Sequence, residues 1–172
     1  MPSSAGSVSK KIVLRCVLAF GVAFAIAVWL FSGVYLLVGE HRGRMLFVWG
    51  ISVGDEFKLA YTHSVNLSPV VDVFGWMGGE EMILRRSYFA SLGAGMPHPS
   101  DFPSSQMLVL GYGLVLEGID RPMNRLGIIT DYIANQRVVL GAREASLAEL
   151  AGSGASVTLE VRRMPRYTVF WY

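Results

Sequence analysis

The sequence predicts an all-β fold, a sandwich or barrel-like domain with one short helix, carried behind a single N-terminal transmembrane helix. Three observations predict it. The run Cys16–Gly39 contains no charged side chain and lies between the basic residues Lys10, Lys11 and Arg15 and the acidic Glu40. Beyond it, short runs of alternating apolar and polar residues are separated by glycine, proline and aspartate turns. Only one later segment, around Ser146, carries helix signals. Eight or so short strands with one small helix point to a sandwich or barrel.

A chain of 172 residues argues for one domain. Of its 15 basic residues three precede the apolar run, which leaves 12 against 13 acidic ones and a formal charge of −1 for the remainder. The basic balance therefore belongs to the amino end, and no clustered basic stripe marks a nucleic-acid surface. The single cysteine, Cys16, sits inside the apolar run and cannot close an intramolecular disulfide.

Residues 1–9 read as a polar, disordered tail, 10–39 as a transmembrane anchor and 40–172 as the β-domain. At 1.5 Å per residue, Cys16–Gly39 spans about 36 Å, more than the ~30 Å hydrocarbon core. A cleaved signal peptide fits less well: the apolar stretch is too long, and Ala25-Ile-Ala27 is followed by the apolar Val28–Phe31. Arg15 directly before Cys16 argues against lipidation. Trp29 and Tyr35 fall toward the outer half, where amphipathic rings favour the interface. The short basic tail agrees with an inside amino terminus and an outside domain. Ala19, Ala23 and Ala27 recur every four residues and form a smooth stripe suited to docking another membrane helix.

Met45–Val53 reads as the first strand, with a turn at Gly54-Asp55. In Glu56–Val65, Phe57, Leu59, Tyr61, His63 and Val65 share one face, with Lys58, Thr62 and Ser64 on the other. Pro69 opens the next strand, which continues over Val70–Met77. Gly78-Gly79 is a hairpin signal before Glu81–Ala90. Residues 91–105 form a long loop rich in glycine and proline. Met107–Leu110, Gly113–Ile119 and Leu126–Thr130 follow as strands around a turn at Asp120–Arg125, then Gln136–Leu140. Ser146-Leu-Ala-Glu149 is a capping box for a short helix that Gly152 stops. Ser156–Arg163 and Tyr167–Tyr172 complete the strands.

The stretch Phe57–Pro97 concentrates the unusual residues. Tyr61-x-His63-Ser64-Val65, then Pro69-Val70 with Asp72 close behind, then Gly93-Ala-Gly95-Met96-Pro97, resembles the bacterial domain-of-unknown-function family 1850. The resemblance covers Glu56–Pro97. It implies a small membrane-associated protein of the bacterial inner membrane, encoded beside TRAP-type transporters of the TAXI branch, with an extracytoplasmic domain. Asn66 stands where the family has an acidic residue, Asp72 where it has Glu, and Met96 where it has Leu. The loss of a charge at Asn66 weakens any acid–base or metal role for His63.

The residues themselves argue against an enzyme. His63 and Ser64 are adjacent, so on a strand they point to opposite faces and cannot pair as base and nucleophile. Gly-x-Ser-x-Gly is absent, which leaves a hydrolase as the weakest reading. His63, Asp72, Glu80, Glu81, His98 and Asp101 show no metal-ligand spacing, so no metal and no cofactor is expected. His63 reads as a core histidine or, alternatively, as a partner contact. The sequence thus favours a non-enzymatic accessory protein whose motif face (Tyr61, His63, Asp72, Gly93, Gly95) contacts a permease or its solute-binding protein. The alternative is a small-ligand or anion-binding module, in which the glycine loop supplies a nest of N–H groups and Arg85 and Arg86 add charge.

Overall fold

The computed structural model describes residues 5–92, 96–111 and 113–171. It begins with α1 (Ala5–Phe31). Within α1, Ile12–Phe31 is apolar and long enough to cross a membrane, and none of it is buried against the rest of the chain. Its 20 residues rise about 30 Å, the thickness of a bilayer's hydrocarbon core.

The helix stops earlier than the apolar run does. After Ser32 the chain becomes β1 (Gly33–His41), which occupies an interior position in a four-stranded antiparallel sheet. That sheet has the order β2-β1-β11-β8, with β2 at Arg44–Gly50, β8 at Arg125–Ile129 and β11 at Ser156–Pro165. The expected anchor through Gly39 is thus divided between a helix and a core strand. The division has a physical reason, since a strand buried on both faces is as continuously apolar as a membrane helix. Leu37 faces the main core, and Leu36 and Val38 face the opposite side with Val48. Tyr35 belongs to this sheet and packs on Trp76 with ring centroids 5.1 Å apart.

The second sheet has seven strands in the order β10-β9-β3-β4-β5-β7-β6. They are β3 (Glu56–Thr62), β4 (Pro69–Trp76), β5 (Met82–Phe89), β6 (Gln106–Leu110), β7 (Gly113–Met123), β9 (Arg137–Leu140) and β10 (Arg143–Ser146). Adjacent strands in both sheets pair antiparallel. Alternation places Phe57 and Leu59 inward, and Phe57 stacks on Phe74 across the β3–β4 pair at 5.0 Å. With Leu37, Phe47, Trp49, Val157 and Leu159 of the smaller sheet they form the sandwich core. Fully burying one such side chain stabilises the fold by about 1.5–3 kcal/mol.

A second cluster, Val70, Phe89, Leu116 and Ile119, lies beyond the reach of the smaller sheet. The loop after β5 covers it with Met96 and Phe102. Gly118, at φ +71°, brings β7 close to the Ser104 carbonyl of that loop, and a Cβ there would lie 2.8 Å from the oxygen.

The expected Gly78-Gly79 turn joins β4 to β5, with both glycines at positive φ. The turn expected at Asp120–Arg125 falls instead at Asn124, because β7 continues through Met123. The helix expected at Ser146 is α2 (Leu147–Ala151), closed by Gly152 at φ +87°, but the Ser146 side chain makes no capping hydrogen bond. The C-terminal residues form a 3-10 turn, Arg166–Phe170, rather than a strand. Pro165 ends β11, and the turn folds back so that Val169 packs on Leu36, Val38 and Val48.

Candidate functional site

Every strand of the sandwich runs between two ends. One end holds the exit of α1, the β2–β3 loop and the β4–β5 hairpin, tied together by Ile51 N–H donating to the Tyr35 carbonyl at 3.4 Å and Gly54 N–H to the Trp76 carbonyl at 2.9 Å. The other end holds most of the sequence motif.

On the inner face near that second end, register brings three polar residues together. Asp72 lies opposite Ser87 across the β4–β5 pair, and Tyr61 lies diagonal to it on β3. Ser87 Oγ donates to Asp72 Oδ1 at 2.6 Å. The Tyr61 phenol engages the same carboxyl group. Burial pushes the Asp72 carboxyl above the usual carboxylate range, and the hydrogen bonds from Ser87 and Tyr61 pull partly against it. Burial also holds the Tyr61 phenol well above its ordinary value, with the Asp72 charge and the bond to it acting in the same direction. A carboxyl group that accepts from a serine only 1% exposed, with a tyrosine from the next strand beside it, is a latch between β4 and β5 that β3 covers. Ser87 was not among the residues expected from sequence.

His63 lies just past the end of β3 and not on the core face. Its Nδ1 accepts from the backbone N–H groups of Val65 and Asn66 at 3.3 and 3.4 Å, and its carbonyl accepts from Leu67 N–H at 2.9 Å. His63 N–H donates to the Ser68 carbonyl at 2.8 Å, which closes the turn into β4. The histidine is half-buried and works as a turn cap, which corrects the core reading. Ser64 is exposed in the same turn, and Pro69 is the exposed first residue of β4. Val65, expected to face inward, is 68% exposed, as is Leu67. Thr62 N–H donates to the Ala134 carbonyl at 2.7 Å, which ties the end of β3 to a neighbouring turn where Tyr132 and Ile133 are also exposed.

The paired arginines lie elsewhere. Two residues of β5, Arg85 and Arg86, bulge opposite Val73. Val73 and Asp72 are neighbours on a strand, so the arginines occupy the outer face of the sheet. Arg86 is paired with Glu56, and Arg85 packs over Gly75. Gly93 and Gly95 lie outside the described residues. Met96, the described residue that follows them, packs on the inner-face cluster, and Pro97 is half-buried beside it. Among the described residues, therefore, the arginines and the loop approach the sheet from opposite sides. His98 and Asp101 cap their own turn, His98 N–H donating to Asp101 Oδ2 at 3.0 Å. No group of three His, Cys, Asp or Glu side chains converges among the described residues. Ala19, Ala23 and Ala27 lie exposed along α1.

Compared with known families, residues 57–147 match one described as Domain of unknown function (DUF1850). No curated protein and no solved structure matches the chain.

Proposed function

This chain belongs to the DUF1850 family, and from that premise we propose that it is a membrane-anchored, non-enzymatic accessory protein of a TAXI-type TRAP transport system. In this reading α1 spans the bacterial inner membrane with its amino end inside, and the β-domain stands outside. The motif end of the sandwich then docks the system's soluble solute-binding protein. One observation carries the reading: the motif turn exposes Val65 and Leu67, and the turn hydrogen-bonded to the end of β3 exposes Tyr132 and Ile133 at the same end of the sandwich. Clustered exposed apolar side chains mark interaction surfaces. On the inner face of the same strands, Asp72 and Ser87, with Tyr61 beside them, hold β3, β4 and β5 in register.

The distance of this end from the helix favours the soluble partner over the permease. β1 leaves the helix at Gly33 and ends at His41, a strand of nine residues that runs about 30 Å. A membrane-embedded partner meets α1 instead, along the Ala19, Ala23 and Ala27 stripe. The test is co-purification of the detergent-solubilised full chain with the solute-binding protein of a TAXI-type system from the same cell. Val65→Glu with Leu67→Glu should abolish recovery while the unfolding temperature stays unchanged. Ala23→Leu should leave that recovery intact and reduce recovery of the permease. Equal recovery of the solute-binding protein by wild type and the double variant overturns the docking role.

A further inference from the structure

We infer that the C-terminal turn and the exit of α1 together form an aromatic collar seated in the headgroup layer of the bilayer, which fixes the β-domain on the membrane rather than leaving it on a tether. The inference rests on the reading of α1 as a membrane span. If Ile12–Phe31 crosses the hydrocarbon core, Trp29 and Phe31 lie at its outer boundary. Whatever touches their rings lies at the same depth.

The C-terminal turn touches both. Phe170 lies 6.4 Å from Trp29 between ring centroids, and Tyr167 meets Phe31 edge-on at 5.4 Å. Arg166 places its guanidinium over the Trp29 ring at 4.7 Å and donates its backbone N–H to the Ser32 carbonyl at 3.0 Å. The turn is held from behind: Thr168 is buried and Val169 packs on the outer face of the smaller sheet. Its other side presents Phe170, 67% exposed, and Trp171, 79% exposed. In water such rings gain nothing, but aromatic side chains favour the membrane–water boundary, where an apolar ring meets a wet layer.

Two further features belong to the same end. Arg163 is exposed and its side chain packs over Gly33, the first residue of β1, so a second guanidinium stands at the helix exit, at headgroup level. Long cationic side chains there reach the lipid phosphates. Val53 is exposed in the β2–β3 loop, two residues beyond the Ile51 N–H that bonds to Tyr35. The collar thus extends around the domain from the helix exit.

The test uses the full chain in vesicles of phosphatidylcholine and phosphatidylglycerol, with an environment-sensitive fluorophore on one cysteine at a time. Natural Cys16 reports on α1. In a Cys16→Ser background, Trp171→Cys and Val53→Cys report on the collar. Val109→Cys, on the opposite end of the larger sheet, is the control. The collar predicts a blue shift at positions 171 and 53 and loss of their fluorescence to nitroxides placed at the headgroups, with neither effect at 109. Cys16 should be quenched by nitroxides deep in the acyl chains. If Cys16 is quenched while 171 and 53 behave like 109, the domain is only tethered and the collar is refuted with the anchor intact. If Cys16 is not quenched, the anchor itself fails and the collar with it.

Discussion

The sharpest prediction separates the two jobs of Asp72, accepting hydrogen bonds and carrying charge. Asp72→Ala removes the acceptor for Ser87, whose hydroxyl is buried and has no route to water. Leaving a buried polar group unpaired costs about 1–3 kcal/mol. For a chain of this size each kcal/mol moves the unfolding temperature by about 2–4 °C. Asp72→Asn keeps a carbonyl oxygen for the Ser87 hydroxyl and deletes the charge. Folding raises the Asp72 pKa, so the stability contributed by this group is complete below the unfolded pKa, near about 4, and is lost as pH rises through the folded pKa. The asparagine variant lacks that loss. It should therefore be at least as stable as wild type at neutral pH, with its advantage closing as pH falls toward the unfolded value. Thermal and denaturant unfolding of the full chain in detergent, followed by circular dichroism across that range, measures both effects. If the alanine variant is as stable as wild type, or the asparagine variant falls as far as the alanine one, the latch is wrong.

Other perturbations test the neighbouring elements. His63→Ala should cost about 0.5–2 kcal/mol, the range for losing a cap, while His63→Asn, which restores an acceptor, should recover part of it; equal losses in denaturant melts would deny the turn-cap role. Gly118→Ala forces a Cβ against the Ser104 carbonyl from a left-handed backbone, so it should destabilise the fold by about 1–3 kcal/mol and speed proteolysis within the loop after β5. An unchanged cleavage rate would show that the loop is not held there. Protease added to spheroplasts should digest the β-domain and spare an amino-terminal tag; protection of the domain would reverse the orientation.

Much of the larger sheet was legible because its strands obey simple alternation: Phe57, Leu59 and Tyr61 on β3 and Val70, Asp72 and Phe74 on β4 all share the inner face. Ser87 escaped because alternation loses phase in β5, where Arg85 and Arg86 together oppose Val73. A bulge of that kind has no fixed sequence mark, and it also turned the arginines away from the motif. β1 escaped for the opposite reason. Its two buried faces make it uniformly apolar, and only the Ser32-Gly33 step separates it from the helix. The C-terminal residues Tyr167–Trp171 have strand-forming composition, yet Pro165 ends β11 and turns the chain back over the smaller sheet, where the rings of α1 are there to meet.

The single-residue junction between helix and strand limits how the two ends of the domain can be used. Ser32 is held on both sides, its hydroxyl donating to the Trp29 carbonyl at 2.6 Å and its own carbonyl accepting from Arg166. The helix therefore enters an interior strand of a packed sheet with no flexible linker to let the domain roll over. With α1 across a bilayer, the end bearing Val65, Leu67 and the His63 turn points away from the lipid. A partner confined to the membrane must build outward by roughly the length of β1 to reach it, about 30 Å at the strand rise. A soluble partner meets it without any such extension. Substitutions at Val65 and Leu67 and substitutions at Ala23 should consequently affect different partners, and a single variant that abolishes both interactions would mean that the two ends are not mechanically separate.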